Sequence, residues 1–310
     1  MTRDADRKET AVTRIGIASL ICLLLIAGCG RPDKPGKHSR KSRHAQTQPA
    51  SMPAIPPAQP LPADLVDEFD LRDFPEPSGL VFHPARQTLF VVGDEGDLAE
   101  IATDGTTVNR AENPRRGDYE GVAVDPATGL LYVAQEGAET IHEVDPNSFA
   151  FLRSFQIQRR LGEQLILKYG NQGIEGVAYV PDPNHADGGT FFVVNQQFKL
   201  KDPEDLSAVV QVAAPLRQKT EGSSIVPILR FVQMPITDLA DAAYDPASGC
   251  LLIVSDENDL LLKMTPDGQV AAAWTLPGRD QEGIALDDRS HLYIAQDTGG
   301  ILKLKLRKPL

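Results

Sequence analysis

The chain has 310 residues, of which 41% are apolar, 24% charged and 6% aromatic. This composition is typical of a soluble globular protein and excludes a fibre or a protein with several membrane spans. Lysine and arginine total 31 against 43 aspartates and glutamates, which gives a net charge of −12. A chain this acidic lacks the basic surface that general nucleic-acid binding requires, so we expect no nucleic acid among its partners.

The first 28 residues have the features of an export signal. Four basic residues precede an apolar run from Ile15 to Ala27, and this run is too short for the roughly 20 residues that a permanent membrane span needs. It ends in Leu25-Ile26-Ala27-Gly28-Cys29, which resembles the bacterial lipobox. We therefore predict a lipoprotein signal peptide over residues 1–28 and a covalent lipid, such as palmitate, on Cys29. The alternative is an ordinary secretory signal with a chance cysteine.

This signal predicts a location in the bacterial cell envelope, lipid-anchored to a membrane and facing the periplasm or the exterior. Cys22 lies in the discarded segment, so Cys29 and Cys250 are the cysteines that a mature protein would keep. With one of these two acylated, no disulfide framework is available.

Residues 29–63 are predicted to be a disordered tether that follows the lipidated cysteine. Their first half is basic with one acid, Asp33, and their second half is rich in proline, without apolar periodicity. The basic half is suited to lie on anionic lipid or cell-wall polymer, or it serves only as a solubilising spacer. The segments before residue 64 contain ten of the 31 basic and four of the 43 acidic residues, so residues 64–310 retain 21 and 39, a net charge of −18.

The remainder, residues 64–310, contains five copies of one unit. Each copy opens with a short motif whose starts lie 42, 55, 65 and 42 residues apart: Ser78-Gly79-Leu80-Val81, Glu120-Gly121-Val122-Ala123, Glu175-Gly176-Val177-Ala178, Ala240-Asp241-Ala242-Ala243 and Glu282-Gly283-Ile284-Ala285. A second apolar strand follows in each copy, for example Leu89 to Val92 and Leu292 to Ala295. A period near 42 residues is that of a four-stranded propeller blade.

The arithmetic of the repeat also predicts how the ring closes. The last unit is about one strand short, and the segment just before the first unit contains the strand-like Leu65 to Leu71. We expect this segment to add the outer strand of the last blade. The predicted fold is an all-β propeller with five four-stranded blades, or six if an insertion hides an eroded blade; Leu161 to Tyr169 is the one stretch given a helical turn or two.

The opening motifs, the second strands and the closing Gln281-Glu282-Gly283-Ile284-Ala285 resemble the SdiA-regulated domain family, the YjiK-like bacterial envelope propellers. The similarity covers residues 65–308. It implies a membrane-attached β-propeller without an established biochemical activity, and a shared fold alone licenses no function. The chain departs from the family pattern at Ala240-Asp241, where Ser-Gly is usual, which puts one blade's contribution to an axial site in doubt.

Because the innermost strand of each blade lines the central channel, its repeated polar residue is delivered to the axis once per blade. This predicts a ring of Ser78, Glu120, Glu175 and Glu282, with a rim formed by the residues that end the second strands: Asp94, Glu136, Gln196, Asp256 and Asp297. Glu120, Glu175 and Glu282 are candidate ligands of a divalent cation, and a set of oxygen ligands favours Ca²⁺ or Mg²⁺ over zinc or copper. The alternative is that each glutamate only accepts hydrogen bonds from the backbone of the next blade.

Two functions from different classes fit these residues. The first is a monomeric, membrane-tethered module that binds a protein, peptide or glycan, with Ca²⁺ in the channel. The second is a Ca²⁺-dependent hydrolase of phosphate or other esters, in which carboxylates at the channel mouth activate water. The sequence favours the binding module, because it places few basic residues where a phosphate ester would bind.

Overall fold

The computed structural model describes residues 52–71, 74, 76–112, 114–169, 172–196, 205, 207–219 and 221–310. Every regular element in these ranges is a β-strand. None of the described segments forms a helix of the length and apolarity that crossing a membrane would need. The predicted signal peptide, Cys29 and the tether up to residue 51 lie outside the described residues.

The chain begins with two strands that join later sheets and then builds the first two blades. The two early strands are β1 (Gln59–Pro60) and β2 (Ala63–Asp70). Blade 1 consists of β3 (Pro77–His83), β4 (Thr88–Gly93), β5 (Leu98–Ala102) and β6 (Thr107–Ala111). Blade 2 consists of β7 (Tyr119–Val124), β8 (Leu131–Gln135), β9 (Thr140–Val144) and β10 (Phe151–Ile157).

Within the described residues, the two longer repeats contain small additional elements and no sixth blade. The first forms a hairpin of β11 (Arg160–Leu161) and β12 (Gln164–Leu165). The predicted helical turn here is wrong, because Gly162 at φ 61° reverses the chain between two short strands. Blade 3 contains β13 (Ile174–Pro181), β14 (Gly189–Asn195), β15 (Ala208–Val212) and, beyond β16 (Gly222–Val226), β17 (Ile228–Gln233). Strand β16 pairs in parallel with β10, at the outer edge of blade 2.

Blade 4 consists of β18 (Leu239–Asp245), β19 (Cys250–Ser255), β20 (Leu260–Met264) and β21 (Val270–Thr275). Blade 5 contains β22 (Gln281–Leu286), β23 (His291–Gln296) and β24 (Gly300–Leu306). Its fourth strand is β2, which pairs antiparallel with β24 from Ala63 opposite Leu306 to Asp70 opposite Gly300. The predicted five-bladed propeller, closed by an N-terminal strand, is confirmed, and the six-bladed alternative is not.

The hydrophobic core is divided among the five interfaces between blades. Five clusters of buried side chains each draw residues from two adjacent blades, so that the clusters run in turn around the ring. The second strands supply much of this core, and Leu89, Tyr132, Phe191, Leu252 and Tyr293 are each at most 1% exposed. These strands are apolar on both faces because a neighbouring blade covers each face.

The ordered domain begins upstream of Asp64, which corrects the predicted extent of the tether. Strand β1 pairs in parallel with β21, with Gln59 opposite Trp274 and Pro60 opposite Thr275. Leu61 is 8% exposed and packs in the core between blades 4 and 5. Proline is tolerated because β1 lies at the edge of its sheet, where a missing N–H interrupts no ladder. The proline-rich residues 52–62 are therefore part of the propeller.

The contribution of this segment can be measured by a pair of leucine substitutions. Leu61→Ala removes a buried side chain, so we expect a loss of about 2 kcal/mol or more of unfolding free energy, which lowers the thermal midpoint by roughly 4 °C or more. Leu65→Ala on β2 is the control, because Leu65 is 62% exposed. Equal thermal midpoints for the two variants would contradict the structural role of residues 52–62.

Candidate functional site

Each innermost strand carries a β-bulge at its opening motif. The register shifts between Pro77 and Gly79 in β3, and equivalent shifts occur in β7, β13, β18 and β22. A bulge re-aims one side chain and locally ends the regular pairing of its strand. The residue just before each glycine is therefore presented in the same way in successive blades, at one end of the central channel, which we call the acidic mouth.

Three glutamates occupy this position in blades 2, 3 and 5. Burial raises the pKa of Glu120 and of Glu175 well above the usual carboxyl range, and the charge of Glu175 adds to the effect on Glu120. Burial raises the pKa of Glu282 to about 8, with further contributions from Asp256 and Asp238. Glu282 in turn raises the pKa of Glu175. The structure thus brings the three predicted glutamates within electrostatic reach of one another around the axis.

Blade 1 has Ser78 in place of glutamate. Ser78 is buried, and its Oγ donates a hydrogen bond to the backbone oxygen of Glu76 at 3.2 Å. This contact fixes the start of the first innermost strand and leaves the polar contribution of blade 1 to Glu76 and Asp94.

The predicted rim residues lie close to the opening motifs of their own blades. In four blades the backbone N–H of the rim residue donates to the carbonyl of an acid two residues before the motif: Asp94 to Glu76, Glu136 to Asp118, Asp256 to Asp238 and Asp297 to Asp280, at 2.9 to 3.3 Å. Gln196, the rim residue of blade 3, is half-buried. Four of the five blades therefore place two further acids at the mouth, and blade 3, with Gln196 at the rim, is the exception.

Sequence reasoning missed Glu76, Asp118, Asp238 and Asp280. The signal was an acid two positions before the opening motif in four of the five copies; blade 3 has Gly173 there. Its meaning depends on backbone conformation: Glu76, Asp238 and Asp280 have positive φ values of 45°, 56° and 50°, which turn the chain into the bulge. Asp and Asn visit this left-handed region more readily than most residues.

The tightest group of acids joins blades 1 and 2. One carboxylate oxygen each from Asp94, Asp118 and Glu120 lies within 4.8 Å of the others. A hydrogen bond that protonated Asp94 donates to Asp118, together with burial and the charge of Asp118, raises the pKa of Asp94 to about 6. Oδ1 of Asp118 is buried without a hydrogen-bond partner. Of the three predicted metal ligands, only Glu120 belongs to this group, which we call the carboxylate triad.

Two further glutamates hold the start of β13 and thereby position Glu175. Glu136 Oε1 accepts a hydrogen bond from the N–H of Gly173 at 2.8 Å, and Glu139 Oε2 accepts one from Ile174 at 3.0 Å. Glu139 is fully buried, and Arg159 Nη1 lies 3.1 Å from its other oxygen. Burial nevertheless raises the pKa of Glu139 to about 7. Glu136 therefore accepts a hydrogen bond from the backbone of the next blade, which is the role that the sequence offered as an alternative for Glu120, Glu175 and Glu282.

The opposite end of the channel is apolar. A cavity of about 320 Å³ opens there, lined by the residues that follow the glycines in all five innermost strands. Proline-containing turns surround its opening, and they include Pro84, Pro126, Pro181 and Pro246. The two ends of the channel thus differ in chemistry, with carboxylates at one and aliphatic side chains at the other.

The raised pKa values predict how stability depends on pH. A carboxyl group whose pKa is higher in the folded than in the unfolded state keeps a proton that the unfolded chain has released, so folding becomes less favourable as the pH rises between the two values. We expect the thermal midpoint without divalent cations to fall from about pH 5 to about pH 8. Acids with lowered pKa values, such as Glu100 and Asp287, affect the stability only at pH values below this range.

Glu282→Gln tests this origin of the pH dependence. The variant has no ionisable group where the pKa is raised to about 8, so its midpoint should change less than that of the wild type over the upper part of the range. Asp267→Asn, in the exposed turn between β20 and β21, should retain the wild-type slope. A wild-type midpoint that rises with pH would rule out the buried acids as the dominant titrating groups.

Comparisons with known proteins agree with this architecture. A family model described as SdiA-regulated matches residues 73–299. Among solved structures, the chain is similar to a glutaminyl cyclase from Myxococcus xanthus, at 12% identity over 80% of this chain and 98% of that one, with a TM-score of 0.56. It is also similar to the β-propeller domain of Cps50 (Swd1) from Myceliophteria thermophila, at 9% identity, 79% and 99% coverage and a TM-score of 0.46.

A gluconolactonase from Xanthomonas campestris matches at 16% identity over 81% of this chain and 98% of that one, with a TM-score of 0.46. At such low identities a structural likeness bears on the fold alone. The family match is stronger, because it extends from the segment before blade 1 to the residue before β24 in blade 5 and covers well over half of the chain. The protein therefore belongs to the SdiA-regulated family.

Proposed function

We propose that the protein is a membrane-tethered binding module of the cell envelope whose acidic mouth takes a divalent cation, Ca²⁺, at the carboxylate triad. The observation that carries this proposal is the approach of three carboxylate oxygens, from Asp94, Asp118 and Glu120, to within 4.8 Å of one another. Carboxylates this close repel each other, and either protons or a cation must offset the repulsion.

The chemistry of the ligands favours a hard cation. The triad offers only carboxylate oxygens, and Ca²⁺ takes six to eight oxygen ligands with flexible geometry. Three protein oxygens leave several coordination positions for water or for an incoming ligand. Carbonyl, carboxylate and hydroxyl oxygens could fill them, and peptides and glycans both carry such groups. Within the triad, Oδ1 of Asp118 is buried without a hydrogen-bond partner and would gain one interaction from a bound cation.

Calcium binding is expected to raise the stability of the protein. A cation that binds only the folded state at 100 times its dissociation constant adds about 2.7 kcal/mol, or roughly 5 to 10 °C in the thermal midpoint of a domain of this size. We therefore expect a saturable rise of the midpoint with CaCl₂ that EDTA reverses, accompanied by proton release when binding is followed near pH 6.

Asp118→Asn should abolish the rise, because Asp118 contacts both other members of the triad. Asp267→Asn removes one charge from an exposed turn and should respond to calcium like the wild type. Coincident unfolding curves with calcium and with EDTA would reject the cation site. An equal calcium response in the two variants would place the site elsewhere.

A hydrolase remains the second candidate, and one observation favours it. With its pKa raised to about 8, Glu282 is protonated at neutral pH and could act as a general acid beside ionised carboxylates. A phosphate ester is disfavoured as the substrate, because Arg159 and Lys168 are already paired in salt bridges with Glu139 and Asp205. Assays with p-nitrophenyl phosphate and p-nitrophenyl acetate in the presence of CaCl₂ decide the matter: Glu282→Gln should lower any true turnover at least tenfold, and equal rates would exclude this mechanism.

Tethering is proposed from the lipobox-like sequence at Cys29. In a bacterial host, the wild-type protein should sediment with membranes and incorporate radiolabelled palmitate. Cys29→Ser should incorporate no label and appear in the soluble fraction. Cys22→Ser is the matched control, because Cys22 lies in the signal segment and should not affect lipid attachment. Equal labelling of the wild type and Cys29→Ser would overturn the proposed anchor.

A further inference from the structure

The innermost strands meet at the axis with unpaired backbone edges. Strands β3, β7, β13, β18 and β22 are each the terminal strand of their sheet, so the N–H groups on their inner side have no strand to pair with. A buried backbone N–H without an acceptor is costly. Something at the axis must therefore supply acceptors to these groups.

Glycines bring the five strands into backbone contact. A Cβ on Gly79 would lie 2.6 Å from the carbonyl oxygen of Glu120, and one on Gly121 would lie 2.6 Å from the amide nitrogen of Val177. A Cβ on Gly283 would lie 2.6 Å from the carbonyl oxygen of Ser78. Four blades thus have no space for a side chain at this position.

Blade 4 is the exception and carries Asp241 at the glycine position. Its side chain is fully buried. Oδ1 accepts a hydrogen bond from the N–H of Ala242 at 2.7 Å, and Oδ2 accepts one from Ile284 at 2.9 Å. The backbone N–H groups of Leu80 and Val177 also face the carboxylate and act to lower its pKa, although burial has the larger effect and raises this pKa well above the usual aspartate range.

These four donors come from blades 1, 3, 4 and 5. Each belongs to the residue directly after the glycine position, so one carboxylate faces equivalent N–H groups in four blades and accepts hydrogen bonds from those of Ala242 and Ile284. Several convergent backbone N–H groups form a concavity that binds anions, and hydrogen bonds from N–H groups favour the ionised form of a carboxyl group. Both hydrogen bonds to this carboxylate come from backbone N–H groups, and a protonated carboxyl would place its own O–H among these donors. This geometry favours the ionised form of Asp241, whereas burial alone favours the protonated form.

We propose that the propeller axis is an anion-binding site made of backbone N–H groups, and that the ionised side chain of Asp241 occupies it as an internal ligand. The chemical class that fits is a small monocarboxylate such as formate. The site lies between the acidic mouth and the apolar cavity, and its existence does not depend on calcium binding at the triad. By joining four blades at one point, Asp241 also closes the channel.

The test removes the internal ligand and supplies an external one. Asp241→Gly restores the residue that the other blades carry and leaves the N–H groups without an acceptor. We expect its thermal midpoint to fall by on the order of 5 °C. Sodium formate, exchanged for sodium chloride at constant ionic strength, should recover at least half of this loss with a saturable dependence on concentration, and should leave the wild type unchanged. Equal stabilisation of both proteins by formate, or an unchanged midpoint in the variant, would overturn the proposal.

A second variant decides the charge of the internal ligand, and it serves if Asp241→Gly does not fold. Asp241→Asn keeps the shape of the side chain but points an amide donor at backbone donors. We expect it to be less stable than the wild type at pH 7 by on the order of 5 °C, whereas Asp267→Asn should be within about 1 °C. An Asp241→Asn variant as stable as Asp267→Asn would mean that Asp241 is neutral, and the anion-binding assignment would fail.

Discussion

The close approach of five backbone edges at the axis is the constraint on which the rest of the structure depends. The strands can approach this closely because glycine is the second residue of the opening motif in four of the five blades. A Cβ at any of these positions would collide with a neighbouring blade: Gly79, Gly121, Gly176 and Gly283. The bulge at each opening follows from the same crowding, since the strand must turn away from the axis before it pairs regularly with the second strand. The inter-blade cores then cover the flanks of strands whose positions the axis has already fixed.

This constraint explains why carboxyl pKa values are raised at the acidic mouth. The bulges deliver Glu120, Glu175 and Glu282 to a small volume, while the turns that lead into the bulges add acids such as Asp118 and Asp280. Few cations balance them, so burial and mutual repulsion raise carboxyl pKa values on several blades. An arrangement that keeps protonated acids at neutral pH costs stability. That cost is consistent with a site that exchanges protons for a bound cation.

Much of the fold was predictable from the sequence because the repeat encodes it directly. The 42-residue spacing, the apolar second strands and the strand-like Leu65 to Leu71 each correspond to an element that the structure contains. Strand β1 was not predictable, because two residues in a proline-rich segment have no periodicity and their pairing depends on the distant Trp274. The acids at positions 76, 118, 238 and 280 were visible as a pattern, but the placement of Glu76, Asp238 and Asp280 depends on positive φ values that composition does not reveal. The sequence indicated only an eroded repeat at Asp241, because the role of this residue depends on backbone N–H groups of three other blades.

The blocked axis separates the channel into two vestibules, the acidic mouth at one end and the apolar cavity at the other. A solute that enters the aliphatic chamber lined by Val81, Val124 and Leu286 meets crowded main chain and the Asp241 side chain before it reaches any glutamate. The central channel is therefore not continuous, and no molecule can pass along the axis while the strands keep these positions. Any influence of one vestibule on the other must travel as a shift of whole strands, because every innermost strand borders both.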